Sequence, residues 1–255
     1  MHHDLVYDIG VKTPEHILDT ARQLFNEQGE ARVAASDVAL ELGISPGNLY
    51  YHFKGKESIH LALFAEFQRD MIVLMGPVVQ PPGLFTDDRH TADIETSWLF
   101  LTVLLEKMLH YRYVYDGARG LATQFPDIQR GLRRLLRMKY KVCQHLAAQL
   151  VPGAEGQPHP RLGNLTEAMT LCLACWLTYD PILHPEDQEG LLVHRGVLQI
   201  LAHCAPYLGA AQRDFFTDCE ALYQQMIDES AASLDSTGPD TLKNTSANSD
   251  TGENR

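Results

Sequence analysis

The side chains best suited to chemistry in this chain lie between Ser45 and His52, in the run SPGNLYYH. Ser45, Gly47, Asn48, Tyr50, Tyr51 and His52 offer hydrogen-bonding groups, planar rings and bare backbone with almost no aliphatic bulk. That combination suits a groove lined by base edges and phosphates, so the chemistry it points to is recognition of nucleic acid. Other groupings carry less. Cys172 and Cys175 have the C-x-x-C spacing of redox and zinc motifs, but they sit in the apolar run LTEAMTLCLACWLTY with no second pair and no histidine pair at ligand spacing. They read as buried structural thiols. Arg130, Arg133, Arg134, Arg137 and Lys141 share one helix face, which a solvated surface explains; an anionic ligand or another chain's carboxylates is the alternative. His184, His194 and His203 are scattered and take no role. With no Ser-His-Asp order, phosphate-cradling glycine loop or paired carboxylates, an enzyme finds little support, and neither a metal nor a cofactor is implied.

The elements that must present Ser45 to His52 surround it. From Ala35 to Phe53 the pattern is that of a helix-turn-helix: Val38, Ala39 and Leu42 make an apolar face, and Gly43 stands where a helix ends in a left-handed residue. Ser45 and Pro46 reopen the helix as N-cap and first-turn residue. The small Ala39 lets the two helices approach closely across so short a turn. Leu49 and Phe53, four apart, point inward and leave the polar residues outward. Spacing alone also fits a helix pair in an ordinary all-α core, with Tyr50 and Tyr51 as packing residues.

Thr13 and Pro14 open a preceding helix whose Ile17, Leu18, Ala21, Leu24 and Phe25 fall on one face, and Gly29 closes it. After Phe53, Lys54 to Lys56 turn into a fourth helix that starts at Glu57 or Ser58 and runs to Met71 or beyond. The stretch Thr13 to Phe67, through ILDTARQLFNEQG, DVALELGISPGNLYYHF and KGKES leading into LALF, resembles the N-terminal DNA-binding domain of the TetR family of bacterial repressors. The resemblance implies that Lys56, at the start of the fourth helix, grips a phosphate. Where relatives place a threonine to cap the second helix and bond a phosphate, this chain has Val33 and Ala34, and Ser36 is the nearest hydroxyl. The expected DNA-contacting set is Ser36, Ser45, Pro46, Gly47, Asn48, Tyr50, Tyr51, His52 and Lys56.

Composition constrains how such a head would work. The 255 residues suffice for two domains, and 45% hydrophobic content is that of a soluble globular protein. No run approaches the ~18 apolar residues of a membrane span, and the first residues lack a signal peptide's charged and apolar regions in order, so a cytoplasmic location without membrane contact is expected. Five cysteines form no framework of evenly spaced pairs, which argues against a disulfide scaffold. The net charge of −12 runs against a basic footprint. Up to Arg69 the cations are only Lys12, Arg22, Arg32, Lys54, Lys56 and Arg69, which predicts few neutralised phosphates and a modest salt dependence.

The expected fold is all-α: a flexible arm over 1–12, a three-helix helix-turn-helix head over 13–57, a larger helical ligand-binding and dimerisation body over 58–233, and a disordered tail over 234–255. Within the body, Gly76 to His90 is expected as a proline-rich break. Thr91 to Arg112 carries WLFLTVLL, apolar all round and therefore expected to be buried on every side. A helix interrupted by Gly117 and Gly120 leads to a long one near Asp127 to Val151. Leu165 to Tyr179 ends at Pro181, and Glu186 to Ala205 and Ala210 to Ser233 follow.

For the body the resemblance implies a small-molecule pocket and a homodimer formed through the last helices. Trp98, Leu101, Leu105, Tyr111, Tyr115 and Trp176 are the pocket candidates, because aromatic rings with polar handles orient ligands. The wording ISPGNLYYHFKGKE also looks like a branch of the family that regulates polyhydroxyalkanoate and fatty-acid genes, which makes an acyl-CoA or fatty-acid-like effector the candidate class. A two-fold dimer would set two recognition helices in successive major grooves of a palindromic operator, ~34–36 Å apart, and the effector would release it. The alternative is a small-molecule-binding or adaptor protein with a degenerate DNA-binding head.

Overall fold

Apolar periodicity and local caps decide the first three helices. In the computed structural model, which describes residues 14–79, 93–153, 157–185 and 187–236, Ile17, Leu18, Ala21, Leu24 and Phe25 form the buried face of α1 (Pro14–Gln28). They cover α2 (Ala35–Glu41), which packs on α3 (Pro46–His52). The long α4 (Lys56–Val79) leaves the head and enters the body, packing on α1 at one end and lying along α8 (Pro126–Leu150). Between them come α5 (Ile94–His110) and the short α6 (Arg112–Asp116) and α7 (Ala118–Gln124). After α8 follow α9 (Leu162–Leu183), α10 (Glu189–Ala202), a 3-10 turn (Ala205–Tyr207) and α11 (Ala210–Ser236). No strand occurs among the described residues, so the fold is all-α.

Two glycines set the body's closest approaches. At Gly131 on α8 a Cβ would stand 2.4 Å from Cε1 of Phe64 on α4, so any larger residue would force the ring or the helix to shift. At Gly196 on α10 a Cβ would lie 2.6 Å from Nε1 of Trp176 on α9. The most extensive helix contact joins α8 and α9, and α10 sits against both α9 and α5 beneath α11. Head and body share one continuous apolar core, running from Ile17 and Phe25 through Phe67 and Tyr113 to Leu146 and Ile200.

Several expectations change. Helix α4 does not stop at Gly76: it runs through Pro77 to Val79, and α9 likewise runs through Pro181 to Leu183. Each proline lies two residues from its helix end, so the bond it cannot donate and the crowding of its ring against the carbonyl four residues back fall in the last turn or two of the helix. The expected interruption falls at Gly117 alone, because α7 continues through Gly120. WLFLTVLL is not buried all round, since Leu99 and Val103, four apart, remain exposed. Cys175 is exposed too: it shares the outward side of α9 with Leu171, Tyr179 and Ile182, while Leu165, Met169, Leu173 and Trp176 face inward. The 1–12 arm, most of the 76–90 break and the tail from 237 lie outside the described residues.

Candidate nucleic-acid interface

The turn between α2 and α3 is closed by its own backbone. Gly43, at φ 64, donates to Leu40 O at 3.0 Å, and Ile44 donates to Ala39 O at 3.0 Å. This pair of bonds is the Schellman closure, and its left-handed residue is why glycine stands there. Ser45 then caps α3, its Oγ accepting from Asn48 N at 3.2 Å, with Pro46 as the first helical residue. Leu49 is fully buried beside Val38 and Ala39, and Phe53 packs partly into the same core. The opposite face is thereby held outward. Tyr51 is 79% and Tyr50 50% exposed, and Ser45, Pro46, Gly47 and Asn48 are exposed alongside them. His52 is half-buried with its ring edge-on to Tyr51, centroids 5.1 Å apart, and Lys54 Nζ donates to Tyr50 O at 3.2 Å.

The flanks differ from this face. Ala34 occupies the N-cap of α2 and has no side chain to accept a bond; instead Asp37 Oδ2 accepts from Ala34 N at 2.7 Å. Ser36 lies exposed within the first turn and does not cap the helix. Lys56 opens α4 but turns back into the head. Its Nζ donates to Glu30 O, stands 3.9 Å from Glu30 Oε2 and lies 5.9 Å from the centre of the Phe25 ring. Beneath it His60 stacks on Phe25 at 4.6 Å, with Nε2 3.6 Å from Glu30 Oε2. Burial, reinforced by the Lys56 charge, lowers the His60 pKa to about 4.

The head is joined to the body at the corner between α5 and α6. Asn26 Nδ2 donates to His110 O and Asn26 Oδ1 accepts from Tyr113 N, both at 3.0 Å. Arg22 lies 3.2 Å from His110 Nδ1 and pairs with Asp19 at 3.0 Å. Burial, then the Arg22 charge, lowers the pKa of His110. On the other side of the corner Tyr111 donates to Asp70 Oδ2 at 3.0 Å, and Lys107 pairs with the same oxygen at 3.4 Å. Burial and this bond hold the Tyr111 hydroxyl protonated well above its usual range. Glu30, Asn26, Asp70 and His60 were not singled out from the sequence, because their partners lie 26 or more residues away, except for Lys56 and His60, which flank one another on α4.

The six candidate pocket residues do not converge on one cavity. Leu101 and Leu105 are fully buried, and Trp176 is spent on the core: its Nε1 donates to Leu192 O at 2.9 Å and its ring covers Gly196 beside Leu105. Tyr111 and Tyr115 flank Phe67, at 5.2 and 5.9 Å. Tyr115 accepts from the buried Lys139 at 3.2 Å, an amine whose pKa burial lowers to about 7. Trp98 lies apart, edge-on to His194 and Phe215. Two open clefts have other linings. One of about 440 Å³ lies between Arg22 and Asn26 of the head and Glu106, His110, Val193 and His194 of the body. Another of about 460 Å³ runs between α4 and α5, past Asp70, Val73, Leu74, Phe100 and Val103.

Among the described residues no three His, Cys, Asp or Glu side chains are grouped to hold a metal, and no helix is long and apolar enough to cross a membrane. All five cysteines are free thiols, and the Arg130 to Lys141 stripe is exposed along α8. A rigid helix-turn-helix fused through one long helix to an all-helical body is the architecture of a DNA-binding transcriptional regulator. Residues 17–63 match the family described as bacterial regulatory proteins, tetR family, and residues 79–216 match TetR, bacterial transcriptional repressor. The chain therefore belongs to the TetR family of bacterial transcriptional repressors. It is 23% identical over 184 residues to the HTH-type transcriptional regulator UidR of Escherichia coli K12, covering 69% of this chain and 83% of UidR. Its fold is similar to that of a TetR-family transcriptional regulator from Marinobacter aquaeolei VT8, with TM-score 0.66 and 22% identity over 83% of this chain and 98% of that one. It is also similar in fold to SmeT, the repressor of the Stenotrophomonas maltophilia multidrug efflux pump SmeDEF, with TM-score 0.52 and 17% identity over 78% and 92% of the two chains. SmeT is also solved as a complex with triclosan.

Proposed function

We propose that the protein represses transcription as a homodimer on a palindromic operator and is released by a small-molecule effector. The observation that carries this reading is the exposed face of α3, where Asn48 and Tyr51 stand outward on a helix whose start is capped by Ser45 and whose back is fixed by buried Leu49. Base edges are read by Asn48 and Tyr51, with Tyr50, His52, Gly47 and Pro46 beside them; Ser36, Ser45 and Lys56 serve the phosphates. The outward stripe of α9, Leu171, Cys175, Tyr179 and Ile182, supports a second copy as its partner, since a monomer gains nothing from exposing it.

The effector reading draws on SmeT, a protein of similar fold that holds triclosan. Support for an acyl-CoA or fatty-acid-like effector comes from the α4–α5 cleft, which is apolar along Val73, Leu74, Phe100 and Val103 with the cations Arg69 and Lys107 beside them. Asp70 lines the same cleft and accepts from Tyr111, so an occupant there would act on the corner that carries the head. It changes operator affinity only by binding one head arrangement more tightly than the other. Footprinting the purified protein on genomic DNA supplies the operator, and mobility shifts then test the face. Asn48→Ala and Tyr51→Ala each weaken binding at least about tenfold. If both leave it untouched, α3 does not read DNA; no affinity at any salt would favour an adaptor protein.

A further inference from the structure

We propose that Glu30 is a positioning residue for DNA binding, a carboxylate that competes with operator phosphate for the Lys56 ammonium and so limits the affinity of the head. The proposal rests on the reading of Lys56 as a phosphate contact. Glu30 lies in the link between α1 and α2, outside any helix, with its side chain only 18% exposed. It meets Lys56 twice, through its main-chain carbonyl and through Oε2 at 3.9 Å. The Lys56 side chain is 29% exposed, so most of it is covered by the head. A phosphate drawing this ammonium outward competes with both oxygens for it.

The carboxylate has little freedom to withdraw. His60 stands against Oε2 at 3.6 Å, stacked on Phe25 and uncharged at neutral pH, so it walls the carboxylate on that side without neutralising it. The third wall belongs to the body. At Gly117, between α6 and α7, a Cβ would sit 3.0 Å from Glu30 Cγ and 3.2 Å from Oε1, so glycine leaves the slot its width. Glu30 thus touches Lys56 on one side and the α6–α7 junction of the body on the other. A shift of that corner relative to α4 therefore changes how firmly Lys56 is held.

The test uses the full chain and an operator fragment, with affinity measured across a range of potassium chloride concentrations. Glu30→Gln keeps the shape and the carbonyl contact but removes the competing charge. It raises operator affinity roughly twofold to fivefold, the range of a part-exposed ion pair. Lys56→Met lowers affinity and flattens the salt dependence by about one phosphate. In the Lys56→Met background Glu30→Gln has no further effect, a readout that a merely structural role for Glu30 would not produce. Gly117→Ala, which crowds the carboxylate, is a second perturbation whose effect on affinity also vanishes with Lys56→Met. If Lys56→Met changes neither affinity nor salt dependence, the phosphate reading of Lys56 fails and the proposal with it. If Lys56→Met weakens binding while Glu30→Gln either does nothing or acts equally in both backgrounds, Glu30 is no competitor and the proposal alone is overturned.

Discussion

His60 stores a penalty that acid exposes. Its side chain is buried on Phe25, its Nδ1 has no partner, and its pKa falls from 6.5 to about 4. Between those values the unfolded chain holds a proton that the folded chain lacks, so stability declines as pH drops through 6.5 and this contribution levels off below about 4. The full loss is about 3 kcal/mol. Urea unfolding from pH 7 to pH 4 measures it, and His60→Phe, which keeps the stack on Phe25, makes the profile shallower by that amount. An unchanged profile would place the protonation cost elsewhere. At this scale the residues of α3 were legible from the sequence because their partners are local: Ser45 bonds Asn48 three residues on, and Gly43 closes on Leu40. Glu30 and His60 were not, because a charged link residue and a helix histidine acquire meaning only from the contact that folding brings about.

Helix α4 is positioned by what α8 lacks. Gly131 admits the Phe64 ring where a methyl would stand 2.4 Å from it, and Phe64 is itself buried and packed on Phe67. Gly131→Ala therefore overpacks the joint and destabilises the fold by about 1–3 kcal/mol, read as a lower urea midpoint. A variant as stable as the parent would mean that the ring moves aside freely. Elements were legible where caps and apolar periodicity agree, as in α1 to α3. They were misread where proline was taken as a stop: Pro77 and Pro181 both lie inside helix ends. The aromatic residues of the body were ambiguous for a related reason. Trp176 has a polar handle, but a carbonyl at Leu192 satisfies it, and sequence spacing does not distinguish an internal acceptor from a ligand.

Over the whole molecule, a charge of −12 and a head poor in cations leave little long-range attraction to DNA, so pairing two heads is the available route to affinity. Leu171 and Ile182 of α9 are 66% and 76% exposed, and replacing both with glutamate is expected to yield monomers by sedimentation velocity and to abolish tight operator binding while each chain remains folded. Dimers that survive the change would put the interface elsewhere. The join between head and body has a different consequence. Asn26 bridges to His110 O and Tyr113 N, which are main-chain groups, so the body presents this bond whatever side chains it carries there. This bond is thus indifferent to drift in the body's sequence, whereas Arg22 on the His110 ring and Glu30 against Gly117 depend on which residues the body carries. A head of this kind is portable in part: a ligand domain rebuilt beneath it keeps the main-chain half of the socket and has to preserve only the few positions, such as His110 and Gly117, that meet the head through their side chains or the lack of one.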